Sequence, residues 1–498
     1  MRAGAKSSRR IRRRRDSVAS RGQPLGAAPS LLDALARSQA LPPHLSARER
    51  LSRWQWEMLG GLIVAVLAGL IFFLDWTMIA AQVAFWLLFS MTVFWRLALT
   101  IIGVLEKLKA DSRKDRLPPF DAETPVYSVL VALRHEAGMM DQLARQLRAL
   151  DWPAEQLEIL LLVEADDEAT RQAIAKADFP ARTRCLTVPP GAPMTKPRAL
   201  NYGLAHASGE FVTVYDAEDR PHPDQLKLAA RRFAQARPGL VCVQAPLICT
   251  NGGSGWIAAH WSLEYAVQFG LHMPAMTSLD LPIMLGGTSN HFKRLDLIAM
   301  GGWDAWNVTE DADIGLRIAR LGGRTETIRA GTAESAPMQL RIWLNQRSRW
   351  IKGFMQTWLV CMRSPVSLML ELGPLRWLSL QLTLGGAIVS AFLYGPMSLM
   401  ILAGTALPQF SYGAVDIVLF AAGCAGCALA DILAPGGWSL SRIIAIVTRP
   451  LYWPLQTLAG LKALGGLALS PSFWPKTPHK PDEPENVPPW QSGSSPPS

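Results

Sequence analysis

The sequence predicts an α/β domain with a mostly parallel sheet, inserted between hairpins of membrane-spanning helices, and three observations carry that prediction. Strand-like and helix-like patterns alternate from 126 to 245. Long apolar blocks flank this stretch, at 58–74 and 76–95 before it and at 377–403 and 414–433 after it. Acidic clusters recur where the strand patterns end, the edge at which open α/β sheets bind ligands.

Composition supports the membrane half of this reading. Of 498 residues, 49% are hydrophobic, and the excess is concentrated in a few blocks. The net charge of +10 owes much to Arg9, Arg10 and the run Arg12 to Arg15. So close to apolar segments, that run suits anionic lipid, and without a reader motif it gives no case for nucleic acid. The 6 cysteines form no disulfide framework. Cys424 and Cys427 have CxxC spacing but sit in an apolar block without further ligands, which argues against metal.

Taken in order, residues 1–53 are rich in Arg, Ser, Ala and Pro, and are expected to be largely disordered apart from a weak helical patch at 31–41. No cleavable signal is expected there. Residues 54–117 hold two spans joined at Asp75 and a linker, since about 20 apolar helical residues cross the hydrocarbon core. Basic residues precede the first span (Arg48, Arg50, Arg53) and follow the second (Lys107, Lys109, Arg113), which places both ends in the cytoplasm. Residues 118–337 form the α/β domain. Strands are expected at 126–133, 157–163, 184–188, 211–215 and 240–245, with helices at 137–150, 197–207 and 223–236. The second strand is a near-continuous apolar run, suited to a sheet covered on both faces. Residues 338–366 read as interfacial amphipathic helices, 367–440 as two more spans, and 441–480 as an interfacial or re-entrant segment, with a fifth span as the alternative. The Pro- and Ser-rich tail 481–498 is expected to be disordered.

Four polar clusters fall where an α/β ligand site would place them. Glu164, Asp166 and Asp167 follow the second strand, and Lys196 to Asn201 opens a helix. Asp216, Glu218 and Asp219 end the strand 211–215, and Glu310, Asp311 and Asp313 open a helix after Thr309. Carboxylates at a strand end suit Mg²⁺ or Mn²⁺ carrying a diphosphate; each cluster alone could equally be a helix cap or a solvated turn. Thr309 suits an N-cap, and acids in the first turn suit the helix dipole. Farther on, Gln346, Arg349 and Trp350 share one helical face and form either a ligand wall or an interfacial anchor.

In this order and spacing, the motifs resemble those of the membrane-embedded processive family 2 glycosyltransferases, which include cellulose, hyaluronan and chitin synthases. The resemblance runs from Val126 to about Trp358 and implies a cytoplasmic GT-A, Rossmann-like domain. It also implies that His135, Glu136, Glu164, Asp166, Asp167, Lys196, Asn201 and Asp216 bind the nucleotide donor. Asp216 is the implied metal ligand, with either Glu218 or Asp219 beside it, since this chain has Asp-Ala-Glu-Asp where the family has DxD. Thr288, Asn290, Glu310, Gln346, Arg349 and Trp350 are the implied contacts to acceptor and diphosphate, and Asp311 is the implied catalytic base. Trp343, one heptad before Trp350, would stack on sugar beside it. Trp474, Lys476 and Thr477 are similar to a gating loop that closes over the nucleotide.

The function so implied is inverting transfer from a nucleotide sugar, most simply a UDP-sugar, to a growing polysaccharide at the inner membrane, with the catalytic domain and both termini cytoplasmic. Membrane lipids and an export or regulatory protein are the implied partners. Two alternatives remain open at this point: single-sugar transfer to a lipid-phosphate carrier, or a membrane receptor or assembly protein that keeps the fold without the chemistry.

Overall fold

The computed structural model describes residues 29–112, 124–406 and 413–473. The described residues form ten strands: β1 (Tyr127–Leu133), β2 (Leu157–Glu164), β3 (Thr183–Val188), β4 (Phe211–Tyr215), β5 (Arg220–Pro221), β6 (Leu240–Gln244), β7 (Leu247–Cys249), β8 (Asn290–Lys293), β9 (Arg324–Thr327) and β10 (Thr332–Glu334). Seven make one sheet in the order β3-β2-β1-β4-β8-β6-β9. All its pairings are parallel except those of β8, which runs antiparallel to β4 and β6. A small sheet, β5-β10-β7, lies alongside.

The strand period of two divides β1 between two cores. Val129, Val131 and Leu133 pack with Leu143 and Leu147 of the helix Met140–Arg148 on one face. Leu130 packs with Leu200 and Leu204 of the helix Lys196–His206 on the other. β2 is buried at every position, as its unbroken apolar run requires. Because β1, β2 and β4 are parallel, their carboxyl ends open on one edge, and the site is built there.

Among the described residues, four helices are long and apolar enough to cross a membrane by length and composition: Arg53–Phe72, Leu74–Lys109, Pro374–Gly404 and Ala414–Leu433. The expected segment 441–480 contains two helices, Leu440–Val447 and Arg449–Leu469, neither among those four. The second buries Tyr452, Ala459 and Ala463, and Thr457 donates a hydrogen bond to the Ala391 carbonyl. The stretch 338–366 contains one continuous helix, Leu340–Cys361, and the start of a second at Pro365.

The expectation that 1–53 is largely disordered apart from a weak helical patch at 31–41 needs correction from residue 29 onward. From residue 29 the chain forms a helix, Pro29–Ala36, whose Leu35 is fully buried in the core against the Lys196–His206 helix. Ser46 Oγ donates to Asp304 Oδ1 at 2.8 Å, and Arg363 donates to the carbonyls of Pro43 and Ser46. Composition missed this segment because partners far along the chain order it. Residues 1–28 lie outside the described residues, as do Trp474, Lys476, Thr477 and the tail beyond.

Candidate active site

A single cavity of about 480 Å³ begins at the strand ends and continues between the membrane helices. Arg134, Glu136 and Glu164 line its outer end; Lys196, Asp216, Glu218, Thr288, Glu310 and Asp311 line the middle. Gln346, Arg347, Arg349 and Trp350 form the next wall, and Trp95, Arg96, Tyr394 and Arg449 lie deeper.

At the outer end, Glu164 is paired with Arg198 at 2.6 Å. Burial pushes its carboxyl up, against the pull of Arg198 and Arg134. The acidic cluster divides from there. Asp166 is half exposed and 3.9 Å from Arg134. Asp167 is buried as the cap of the helix Glu168–Lys176, accepting from the backbone N–H of Thr170 and of His135. His135 holds a left-handed conformation (φ 53°), and its exposed ring lies 3.7 Å from Asp167. Asp167 and His135 therefore shape the loop, while Glu136 and Glu164 face the cavity.

At the centre, Lys196 Nζ lies 2.5 Å from Asp216 Oδ1 and donates to the Gly287 carbonyl at 2.7 Å. Burial works against the Lys196 charge, but Asp216 and Glu310 outweigh it and hold the ammonium above its ordinary range. Asp219 turns away from the cavity, 1% exposed, accepting from the Asp216 backbone N–H at 2.7 Å and from the Thr288 hydroxyl. Burial, then the carboxylates of Asp216 and Glu218, push its carboxyl well up. The turn thus presents Asp216 and Glu218 to the cavity and spends Asp219 on its own scaffold. That oxygen donor set fits a hard divalent cation completed by water and phosphate oxygens. Among the described residues, no group of three or more His, Cys, Asp or Glu is arranged as a preformed metal cage.

Glu310 and Asp311 open the helix Glu310–Arg320. Burial and the Asp311 charge push Glu310 up to about 7, with Lys196 pulling the other way. Burial also raises Asp311, against its hydrogen bond from the Ala312 N–H and against Lys196 and Arg349. Thr309 occupies the N-cap position but makes no side-chain cap; its hydroxyl turns to Asn307 Oδ1 at 3.4 Å.

Besides His135, Asp166, Asp167 and Asp219, three further expected ligand residues do not reach the cavity. Asn201 is buried, donating to the Trp303 carbonyl at 2.8 Å and accepting from the Trp303 N–H at 2.9 Å. Asn290 donates to Gln244 Oε1 at 3.2 Å and to the Gly286 carbonyl. Trp343 is fully buried, its indole N–H donating to the Tyr452 hydroxyl at 2.9 Å. In each, bonds to the protein itself take up the groups that a ligand would need.

The wall around Trp350 contains residues that sequence patterning passed over. Trp350 lies against Trp261 (centroids 4.7 Å) and stacks with Tyr265 (6.4 Å, 19°). Arg347 lies over the rings of Trp261, Trp343 and Trp350 at 5.1, 5.6 and 5.0 Å and pairs with Glu264. Glu334, at the end of β10, is pushed up to about 7 by burial, against its hydrogen bond with Tyr265. Trp261, Glu264 and Tyr265 share a face of the helix Trp256–Val267, a spacing that could have marked them. Beyond Trp350, Lys352 Nζ donates to the Phe473 carbonyl at 2.8 Å, holding the chain just before the expected gating loop.

A mostly parallel sheet of this kind places a ligand site at the carboxyl ends of its strands, where these acidic residues stand. Residues 128–289 match Glycosyl transferase family 2, and residues 211–415 match Glycosyl transferase family group 2. The stretch from 128 to 415 is thus matched by two overlapping models of family 2 glycosyltransferases, and its sheet is that of a GT-A fold.

The chain is 25% identical over 237 residues to the probable glycosyltransferase YdaM of Bacillus subtilis, covering 46% of this chain and 56% of that protein. It is 26% identical over 239 residues to a beta-monoglucosyldiacylglycerol synthase of Trichormus variabilis (47% and 50%). It is 24% identical over 257 residues to cellulose synthase 1 of Komagataeibacter xylinus (48% and 15%). The chain spans about half the length of the first two relatives, and less of the third. Among solved structures, a mannosyltransferase of Pyrobaculum calidifontis in complex with GDP-Man and Mn²⁺ aligns with TM-score 0.46 and 18% identity, over 77% of this chain and 99% of that one.

Proposed function

We propose that this protein is an inverting, metal-dependent hexosyltransferase that moves a sugar from a nucleotide donor, a UDP-sugar in the first instance, to an acceptor held at the membrane. The observation that carries this reading is the continuous cavity, which joins Asp216 and Asp311 to Trp350 and then to the membrane helices. The nucleotide lies toward Glu136 and Glu164, and its diphosphate lies near Lys196. Asp216 and Glu218 would hold Mg²⁺ or Mn²⁺, which when bound neutralises charge on the departing diphosphate. Lys196 gives the same oxygens a fixed positive charge. Asp311 takes the proton of the acceptor hydroxyl as that oxygen attacks the anomeric carbon, a role worth about 10²–10⁴ in rate. Trp350, steadied by Trp261 and Tyr265, offers a flat face to the acceptor ring.

Polysaccharide extension, coupled to export through a partner protein, is the first reading of the acceptor. The apolar residues along the deeper cavity, Leu99, Val267, Phe269 and Met273 among them, favour a second: transfer of one sugar to a lipid. In both, the domain lies on the cytoplasmic face of the inner membrane. The test is purified protein with Mn²⁺ and labelled nucleotide sugars, with products sized before and after glycosidase and lipid extraction. Long products that disappear in Asp311→Asn support extension; single-sugar lipids support the second reading. A protein that neither binds nor turns over any donor is not a transferase.

A further inference from the structure

The deep end of the cavity carries charge that the transfer reaction does not use. Arg96 and Arg449 line it, with Arg347 in the adjoining wall, against two carboxylates, Glu264 and Asp431. Both carboxylates are committed. Asp431 receives Arg449 on both oxygens, Oδ1 at 2.5 Å and Oδ2 at 2.6 Å. Glu264 accepts from Arg347 and, at 3.0 Å, from Gln456. Among the described residues, no hydrogen bond or ion pair reaches the Arg96 guanidinium; its titratable neighbours include Cys427, Tyr394, Arg449, Asp431 and His272. The deep end therefore holds one positive charge in excess.

Depth adds a second, independent observation. Arg96 lies roughly 22 residues after the start of the helix Leu74–Ser112, about 33 Å along it at 1.5 Å per residue. The hydrocarbon core is about 30 Å thick. The helix starts at the tight turn after Phe72, so Arg96 lies one membrane thickness away from that turn, at headgroup level on the side of the α/β domain. Apolar residues surround it in the cavity: Trp95, Leu99, Phe269 and Met273. An unpaired cation in apolar surroundings is costly, and an anion that brings its own acyl chains answers both features.

We infer that the deep end of the cavity binds a phosphate-bearing lipid, with the phosphate on Arg96 and a hydroxyl of the same molecule reaching toward Asp311. This rests on the lipid-acceptor reading above and narrows it to a lipid with a phosphate. A free phosphate ion shares the anionic chemistry but lacks the acyl chains that the apolar wall accommodates.

The test is equilibrium lipid binding by the full chain in delipidated detergent micelles, read by native mass spectrometry. The probes are dioleoylphosphatidylglycerol, dioleoylglycerol and inorganic phosphate. The wild type should retain the phospholipid at least tenfold more tightly than dioleoylglycerol, and phosphate alone should not compete. Arg96→Gln should lose that preference, and Arg96→Lys should restore most of it. Equal retention of the two lipids by the wild type overturns the inference, even if Arg96→Gln fails to fold. So does an unchanged preference in a folded Arg96→Gln protein, or displacement of the lipid by phosphate. UDP binding with Mn²⁺, followed separately, reports on the transferase reading: its absence would sink that reading while leaving the lipid result standing.

Discussion

Lys196 and Asp216 form an ion pair 2.5 Å long at the centre of the cavity, so the residue placed to receive a diphosphate holds the residue placed to receive a cation. On the proposed reading donor and metal enter together, because each releases the partner of the other. Lys196→Met should therefore weaken donor binding and slow the chemical step, with kcat/KM falling by about 10²–10³, the scale seen when one charge-stabilising donor is removed. Steady-state kinetics at saturating Mn²⁺ checks this. A loss under threefold would mean that Lys196 serves the fold and not the diphosphate.

Asp311 gives the reaction its pH dependence. Asp311 must be ionised to act as base, and burial raises its carboxyl, while burial and the Asp311 charge push Glu310 up to about 7. Activity should thus rise with pH as Asp311 ionises and level off once it has. Asp311 loses its proton beside a Glu310 that is still neutral, so Glu310→Gln should leave the acidic limb in place. A profile of kcat/KM from pH 5 to 9 for both proteins decides it; a limb that moves to lower pH in Glu310→Gln would show that the Glu310 charge bears on the base.

Asn201 provides a test of position against motif. Its amide bridges both backbone groups of Trp303, and removing it leaves that buried pair unsatisfied. Asn201→Ala should lower stability by about 1–3 kcal/mol, with the donor KM little changed in the folded fraction. Thermal melting and KM measured on the same preparation check it. A large KM increase at unchanged melting temperature would return Asn201 to the donor site.

These cases show what was legible in the residues and what was not. β1 and β2 were readable because an apolar run covered on both faces is a local property. Asp216, Glu218 and Asp311 were readable because they stand at strand or helix ends. Asn201 misled because five residues at 100° each place it about 140° around the helix from Lys196, so the two cannot face one ligand. Trp343 does share a face with Trp350, but the last helix lays Tyr452 over it. Arg347 and Glu264 lie far apart in sequence, and no spacing within one helix could join them. The packing of residues 29–53 was hidden for the same reason, since its partners Asp304 and Arg363 belong to later elements.

The Arg347–Glu264 pair should prove structural and functional at once, and the two effects can be separated. Both residues are largely covered, and the guanidinium lies among Trp261, Trp343 and Trp350. Glu264→Ala would strand that cation, and breaking a buried pair from one side costs about 3–5 kcal/mol. Arg347→Lys keeps the charge but loses the flat face that lies over three rings, a substitution that is not conservative at such a site. The lysine variant should therefore melt only modestly lower while Trp350 loses its support. A several-fold rise in the acceptor KM with the donor KM unchanged is the expected signature in bisubstrate kinetics. A lysine variant with both KM values unchanged would show that the aromatic wall keeps its shape without the guanidinium, and would confine the role of Arg347 to charge.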